Sequence, residues 1–281
     1  MAEHAIFLQI YQRLTAGELT LPSLPDIGLR VREAVRDPQQ SLTGIARIVQ
    51  LEPPLAAYLV SVANSPLFRG AKSVDSCQAA VGRLGLSVTN NLVMSYSLRT
   101  LFASESSVLS RVLRGLWQQS VHLAALSSVL ARHCGGVDPD RALLAGLLQD
   151  IGALPIVANL SAKPEMLADA ATVREILDRY AIPVGTLLLK QWGFDEEMLK
   201  VVASREDWQR DPGPKAELAD VVLLARLHGY VGTPRMRQCP RINAIPAYRK
   251  LALGELSPGD SLAILDTARQ EVAEVQNLMA G

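Results

Sequence analysis

The chain has only three cysteines in 281 residues: Cys77, Cys134 and Cys239. They are too few and too far apart for a disulfide framework or a paired-cysteine metal site, which fits a reducing compartment. An excess of charge of either sign is missing as well. Lys plus Arg is 28 and Asp plus Glu is 28, so there is no electrostatic basis for a nucleic-acid or membrane-surface partner. The residues after Met1 lack the basic flank and apolar run of a signal peptide, and no apolar run is expected to reach the roughly 18 residues of a membrane helix. The expectation is therefore a cytoplasmic protein. Histidine is scarce too, and His4, His133 and His228 show no ligand spacing. Strand-period alternation is essentially absent. What remains is 49% hydrophobic and 20% charged, enough to build one large or two modest domains around a real core.

Helical signals fill the chain. Ile6, Phe7, Ile10 and Leu14 predict an amphipathic opening helix over about 3–16, which Pro22 and Pro25 break. Ile27, Val31, Ala34 and Val35 mark a second helix ending at Asp37-Pro38. Ser41 is the expected N-cap of a third. Pro53-Pro54 starts a fourth, closed by Asn64-Ser65-Pro66. A short helix then runs to Leu84, Gly85 stops it, and Ser87 caps the next as far as about Phe102. Residues 104–107 form a polar break. A long helix from about Val108 to Cys134 ends at Gly135-Gly136. Asp138 is the expected N-cap and Pro139 the first residue of an apolar helix with Gly152 as its stop. Lys163-Pro164 marks a further break. Thr172 to Glu175 reads as a capping box, Pro183 as the start of a helix through Trp192, and Asp195 as another cap. Leu218 to Tyr230 is helical, Arg235 to Arg241 irregular and basic, and Ser261 to Met279 the final helix, with Leu262, Leu265, Val272, Val275 and Leu278 on one side.

The apolar helix is where chemistry, or its loss, is to be sought. From Leu143 to Leu148 it is apolar nearly all round, so it belongs in the middle of a domain. Its one polar pair is Gln149-Asp150.

Ala145 to Gly152 resembles the "GLLHDIG" signature of the HD superfamily of metal-dependent phosphohydrolases. Further segments resemble the HDOD family, the HD-related output domain of bacteria. These are Leu21-Pro22-Ser23-Leu24-Pro25, Asp37-Pro38, Ala63 to Phe68, Ala80 to Leu86, Leu116-Trp117 with Ser120, and Val184-Gly185 with Trp192-Gly193. Their order over 21–232 implies an all-α, multi-helix HD-like bundle in two closely packed helical lobes. The implied organisation is an N-terminal helix (1–20), an HDOD domain (21–232, with lobes at about 21–103 and 107–232) and a C-terminal loop and helical tail packed on the domain (233–281).

The resemblance also implies where a metal would be held, and this chain departs from it there. Gln119 stands at the first His position and Gln149 at the His of the His-Asp pair; only Asp150 is kept. Arg205 falls where a paired His is common, and Arg226 where the later helix carries an Asp. An amide is a poor ligand for a transition metal, and a catalytic metal needs about three protein ligands. The expectation is no metal, no cofactor and no catalysis, because without a metal there is no activated water.

Several positions carry two readings. His122, one turn after Gln119, is a substitute ligand or an ordinary helix histidine. Asp150 is catalytic, or a buried carboxylate held by helix-end amides or Gln119. Asn64, Ser65 and Arg69 shape a turn or present a partner surface. Arg235, Arg237 and Arg241 grip a phosphate or acidic partner, or lie in a solvated loop. Trp117 and Trp192 are favoured as core residues over ligand stackers, and the cysteines as core fillers. The resemblance implies partners among signalling proteins: histidine kinases, response regulators, or GGDEF/EAL proteins of cyclic di-GMP signalling. The alternatives are a divergent phosphohydrolase and a nucleotide sensor that uses the relic cleft, with Arg226 or Arg205 on an anion.

Overall fold

The computed structural model describes residues 21–68, 70–160, 167, 169–251 and 269–280. Among these there is no strand; the fold is all-α. The opening helix expected at 3–16, the break at Lys163-Pro164, Leu262, Leu265 and Arg69 lie outside the described residues, as does the side chain of Leu278.

Chain contacts divide the protein into two compact units. Of the described residues, those within 24–100 and 270–281 form one unit, and those within 1–23 and 101–269 the other. The first unit holds α1 (Asp26–Arg36), α2 (Leu42–Val49), α3 (Pro53–Ala63) and most of α4 (Cys77–Leu101). Ser41 caps α2 as its sequence predicts, its Oγ accepting from Gly44 N at 3.1 Å. The buried stripes Ile27/Val31/Ala34, Ile45/Val49 and Leu55/Leu59/Val62 meet Val81, Leu84 and Val93 of α4 in one core. Inside α4, Gly85 takes φ 77°. That left-handed conformation is accessible to glycine at no steric cost and separates the two helical stretches that Gly85 and Ser87 predict. α12 (Arg269–Ala280) buries Val272, Val275 and Met279 at helical spacing.

The loop after α3 is fastened, not free. The Asn64 amide donates to Val74 O at 2.7 Å and its oxygen accepts from Val74 N at 2.9 Å. Arg83 adds bonds to Ala63 O and Lys72 O. Asn64 is thus consumed in closing the turn, which fits its turn-shaping reading. The Ser65 hydroxyl is buried beside it with no hydrogen-bond partner among the described residues.

The second unit is built on a helical hairpin, α5 (Ser107–Cys134) against α6 (Pro139–Leu148), followed by α7 (Ala153–Leu160), α8 (Ala170–Gln191), α9 (Glu196–Ala203), α10 (Leu218–Gly229) and α11 (Pro246–Lys250). Asp138 caps α6 through Asp140 N and Arg141 N, and Asp195 caps α9 through Met198 N. Trp192 is buried, its indole N–H donating to Pro22 O at 3.0 Å; Trp117 is buried against Phe102 with ring centroids 5.4 Å apart. Both are core residues. Cys77 is buried, and burial pushes its thiol up; burial raises Cys134 to about 11.

Four expectations are corrected here. The cap before α8 is Asp169, and Thr172 lies inside the helix, donating its hydroxyl to Asp169. α8 runs unbroken through Pro183, because Tyr180, Ala181, Val184, Leu188 and Leu189 form one buried face and packing overrides the lost amide. Pro234–Gln238 is a 3-10 helix, not irregular. Finally, Pro139–Leu160 is apolar enough by length and composition to cross a membrane, but 78% of its most apolar window is buried inside the protein. It is the core of the unit.

Gly152 has a different role from the one expected. α6 already ends at Leu148, with Gln149 as its C-cap. A β-carbon at Gly152 would collide with the backbone oxygen of Ala181 and lie 2.5 Å from Gly185 N. The glycine is there to let the turn touch α8. Neither neighbour is a flexible side chain, so Gly152→Ala should destabilise the protein by about 1–3 kcal/mol, towards the top of that range. Urea unfolding would read this as a lowered midpoint at constant slope.

Candidate functional site: a cleft closed by guanidinium groups

The turn after α6 presents Gln149 and Asp150 at the middle of the second unit, and α10 delivers Arg226 to them. Arg226 is fully buried, and every edge of its guanidinium is engaged. Nε donates to Gln149 Oε1 at 2.9 Å, Nη2 to Asp150 Oδ1 at 2.5 Å, and Nη1 to the Tyr230 hydroxyl at 2.6 Å. Tyr230 donates onward to Glu206 Oε1 at 3.0 Å. Arg205 approaches Asp150 Oδ1 through Nε at 3.2 Å. Arg235, from the 3-10 helix, bonds Glu206 and Asp178 at 2.9 Å and lies over the Tyr230 ring at 5.3 Å.

Three guanidiniums (Arg205, Arg226, Arg235) thus face three carboxylates (Asp150, Asp178, Glu206), and the cluster is neutral overall. Burial alone would raise the Asp150 carboxyl. The charges of Arg226 and Arg205 override this and hold it below the usual carboxylate range, so Asp150 is ionised. Burial would likewise lower Arg226, but Asp150, Tyr230 and Glu206 raise it, and it stays charged.

The structure brings together Gln149, Asp150, Arg205, Arg226 and Arg235 of the residues singled out by sequence. Gln119 and His122 line the adjoining cavity. Gln119 is exposed there; burial pushes the His122 imidazole down, favouring its neutral form. The partners of Asp150 are guanidiniums, not helix-end amides or Gln119. Arg235 is not a solvated residue but a tie between α8 and the Glu206 turn; Arg237 is exposed. Tyr230, Glu206 and Asp178 were not expected at the site. Tyr230 carried a signal, being one helical turn beyond Arg226, and Glu206 adjoins Arg205. Nothing local marks Asp178.

The HD superfamily implies a bound divalent cation here, and the residues do not fit one. Any cation within reach of Asp150 would stand against the charges of Arg226 and Arg205. Gln149 Oε1 already accepts from Arg226. Among the described residues no three His, Cys, Asp or Glu side chains are grouped as ligands.

His228, two residues on from Arg226, is 8% exposed, and burial pushes it down to about 4. Unfolded, it titrates near about 6.5. Above that pH both states are neutral. As the pH falls towards about 4 only the unfolded chain takes the proton, and stability is lost by about 3 kcal/mol over the window. Urea unfolding at pH 7.5 and 4.5 should show this loss, and His228→Gln should remove most of it.

An all-α fold with a buried guanidinium bonded to Gln149 and Asp150 at its central turn defines the class. A sequence profile described as HDOD domain matches residues 21–208, and the chain belongs to the HDOD family. A crystal structure from Shewanella amazonensis SB2B, provisionally described as a metal-dependent phosphohydrolase, is similar at TM-score 0.80 and 28% identity, covering 99% of this chain and 100% of that one. An HDOD domain protein of unknown function from Geobacter sulfurreducens shares the fold at TM-score 0.68 and 21% identity, over 97% and 96% of the two chains. An uncharacterised Treponema pallidum protein is 25% identical over 224 residues, which is 74% of this chain and 42% of that protein. The chain thus spans less than half the length of that curated relative.

Proposed function

We propose that this HDOD protein is a non-catalytic signalling module, which acts by docking to another protein and not by hydrolysing a phosphoester. The partners would be those the family resemblance suggests: a histidine kinase, a response regulator, or a separate GGDEF/EAL protein of cyclic di-GMP signalling. One observation carries the reading. The buried Arg226 guanidinium bonds both Gln149 and Asp150, filling with a fixed positive charge the position from which a metalloenzyme activates water. The similarity to a protein provisionally described as a metal-dependent phosphohydrolase makes hydrolysis the competing reading.

The test is elemental analysis of purified protein alongside a phosphodiester hydrolysis assay. The expected result is less than stoichiometric iron, manganese, nickel or zinc, and no turnover. A gain of cation affinity in the double variant Gln149→His with Arg226→Asp would support the account of the site. Stoichiometric metal in the wild-type protein, lost on Asp150→Ala together with hydrolytic activity, would overturn the proposal.

A further inference from the structure

A cavity of about 650 Å³ adjoins the guanidinium cluster, and its lining residues all come from 112–235 of the second unit. That size lies within the usual range of small-molecule sites. Four guanidiniums line it, those of Arg174, Arg205, Arg226 and Arg235, against the two carboxylates of Asp150 and Asp178. Glu206 pairs with Arg235 as well, which still leaves one positive charge over when His122 is neutral. Much of the remaining lining is apolar, including Val112 and Leu116 from α5 and Val173 and Leu177 from α8. We infer that this cavity binds a monocarboxylate with an apolar body, its carboxylate received by Arg205. This rests on the reading of the cleft as free of metal, and adds to it the class of ligand.

The polar lining still has donors to give. Arg226 is not among them, having spent Nε, Nη1 and Nη2 on Gln149, Tyr230 and Asp150. Arg205 differs. It lines the cavity and is only 8% exposed, yet it makes no hydrogen bond among the described residues. Its Nε stands 3.2 Å from Asp150 Oδ1 and its Nη2 3.7 Å from Glu206 Oε1. These are charge attractions without hydrogen-bond geometry, and Nε is buried with no hydrogen-bond partner. Arg235 commits only Nη2, to Asp178 and Glu206. Arg174, exposed on α8, has no ion pair or hydrogen bond among the described residues. A buried guanidinium with unmet N–H groups is costly, and an anion that meets them gains charge-assisted bonds. The carboxylates of the lining already face guanidiniums, Asp150 those of Arg226 and Arg205, Asp178 that of Arg235. One negative charge on the ligand balances the surplus. A phosphate monoester is close to a dianion at neutral pH and would leave charge uncompensated among apolar walls. Those walls receive the body of the ligand through burial.

Naphthoate, naphthamide and naphthyl phosphate share one apolar body and differ in the head group. Each is titrated against the full chain in the presence of EDTA, so that no metal can receive the head group, and followed by ligand-observed NMR and thermal shift. Naphthoate should bind at least about tenfold tighter than the amide, the worth of hydrogen bonds to a charged group, and tighter than the phosphate. Arg205→Gln should lower naphthoate affinity by at least about tenfold and leave the amide unchanged, a split that a merely distorted cavity would not give. Two further variants keep the fold whatever Arg205→Gln does to it. Arg174→Gln, at an exposed position, should lower naphthoate affinity about threefold. Leu177→Trp, at a half-buried one, should fill the space and abolish binding with the melting temperature kept. Equal or tighter binding of the amide or the phosphate would overturn the inference, the phosphate in favour of a phosphoester ligand. No naphthoate binding at millimolar concentration, or binding indifferent to Leu177→Trp, would overturn it outright. Any of these failures would leave the metal reading standing, because elemental analysis tests that separately.

Discussion

Arg226→Met should cost about 3–5 kcal/mol of folding free energy, the usual penalty for removing one partner of a buried ion pair. The methionine fills much of the space but leaves the Asp150 carboxylate, Gln149 Oε1 and the Tyr230 hydroxyl without the donor each now has. Arg205 remains 3.2 Å from Asp150, so the loss should fall nearer the lower bound. The cost belongs to the stranded charge more than to the missing bond. Adding Asp150→Asn to Arg226→Met should therefore recover part of the stability, and a double-mutant cycle by urea unfolding would give a coupling of about 1–3 kcal/mol. A single variant within about 0.5 kcal/mol of wild type, the range of ordinary surface changes, would contradict the role assigned to Arg226.

The second large effect is expected at the other end of α10 from Arg226, at Asp220. This carboxylate on the first turn of α10 is wholly buried. It accepts from Arg210 Nη1 at 2.5 Å and from Glu217 N at 2.9 Å, and lies 3.8 Å from Lys250 Nζ. Arg210 also pairs with Glu217 at 2.7 Å, and Lys250 with Asp211 at 2.9 Å. One side chain thus caps α10, anchors the loop that precedes it and holds the end of α11. Asp220→Ala would uncap the helix and leave the Arg210 and Lys250 side chains, both nearly buried, short of a counter-charge. A loss of about 3–5 kcal/mol is expected. Lys250→Met should cost far less, because Asp220 keeps its two closer partners. Thermal melts of the two variants give the ranking directly, and equal losses would contradict it.

Much of the fold was legible because its signals are local. Ser41, Asp138 and Asp195 cap helices with their own side chains, within three residues of where they stand. Errors came where a local signal met tertiary packing. Thr172 fits a capping box, yet α8 begins earlier at Asp169. Pro183 should start a helix, yet the buried face on both sides carries α8 through it. Gly152 reads as a stop, and only the contact with α8 reveals its use.

The site divides along the same line. Gln149, Asp150, Arg205 and Arg226 could be found because each stands at a position where the resemblance implies a ligand. How they bond could not be read from the chain. Arg226 meets Gln149 across 77 residues and Asp150 across 76, and the Asp178 contact to Arg235 spans 57. The chain gave residue types, and only the assembled helices turn Arg226 towards Asp150 and away from solvent.

The positive charge facing Asp150 is covalently part of α10. A metal ion can be stripped by a chelator, exchanged for a competitor or left out when the cell is starved of it, and its site empties in proportion to supply. A tethered guanidinium has no dissociation constant. Its occupancy is set once, at translation, and does not follow the supply of any ion.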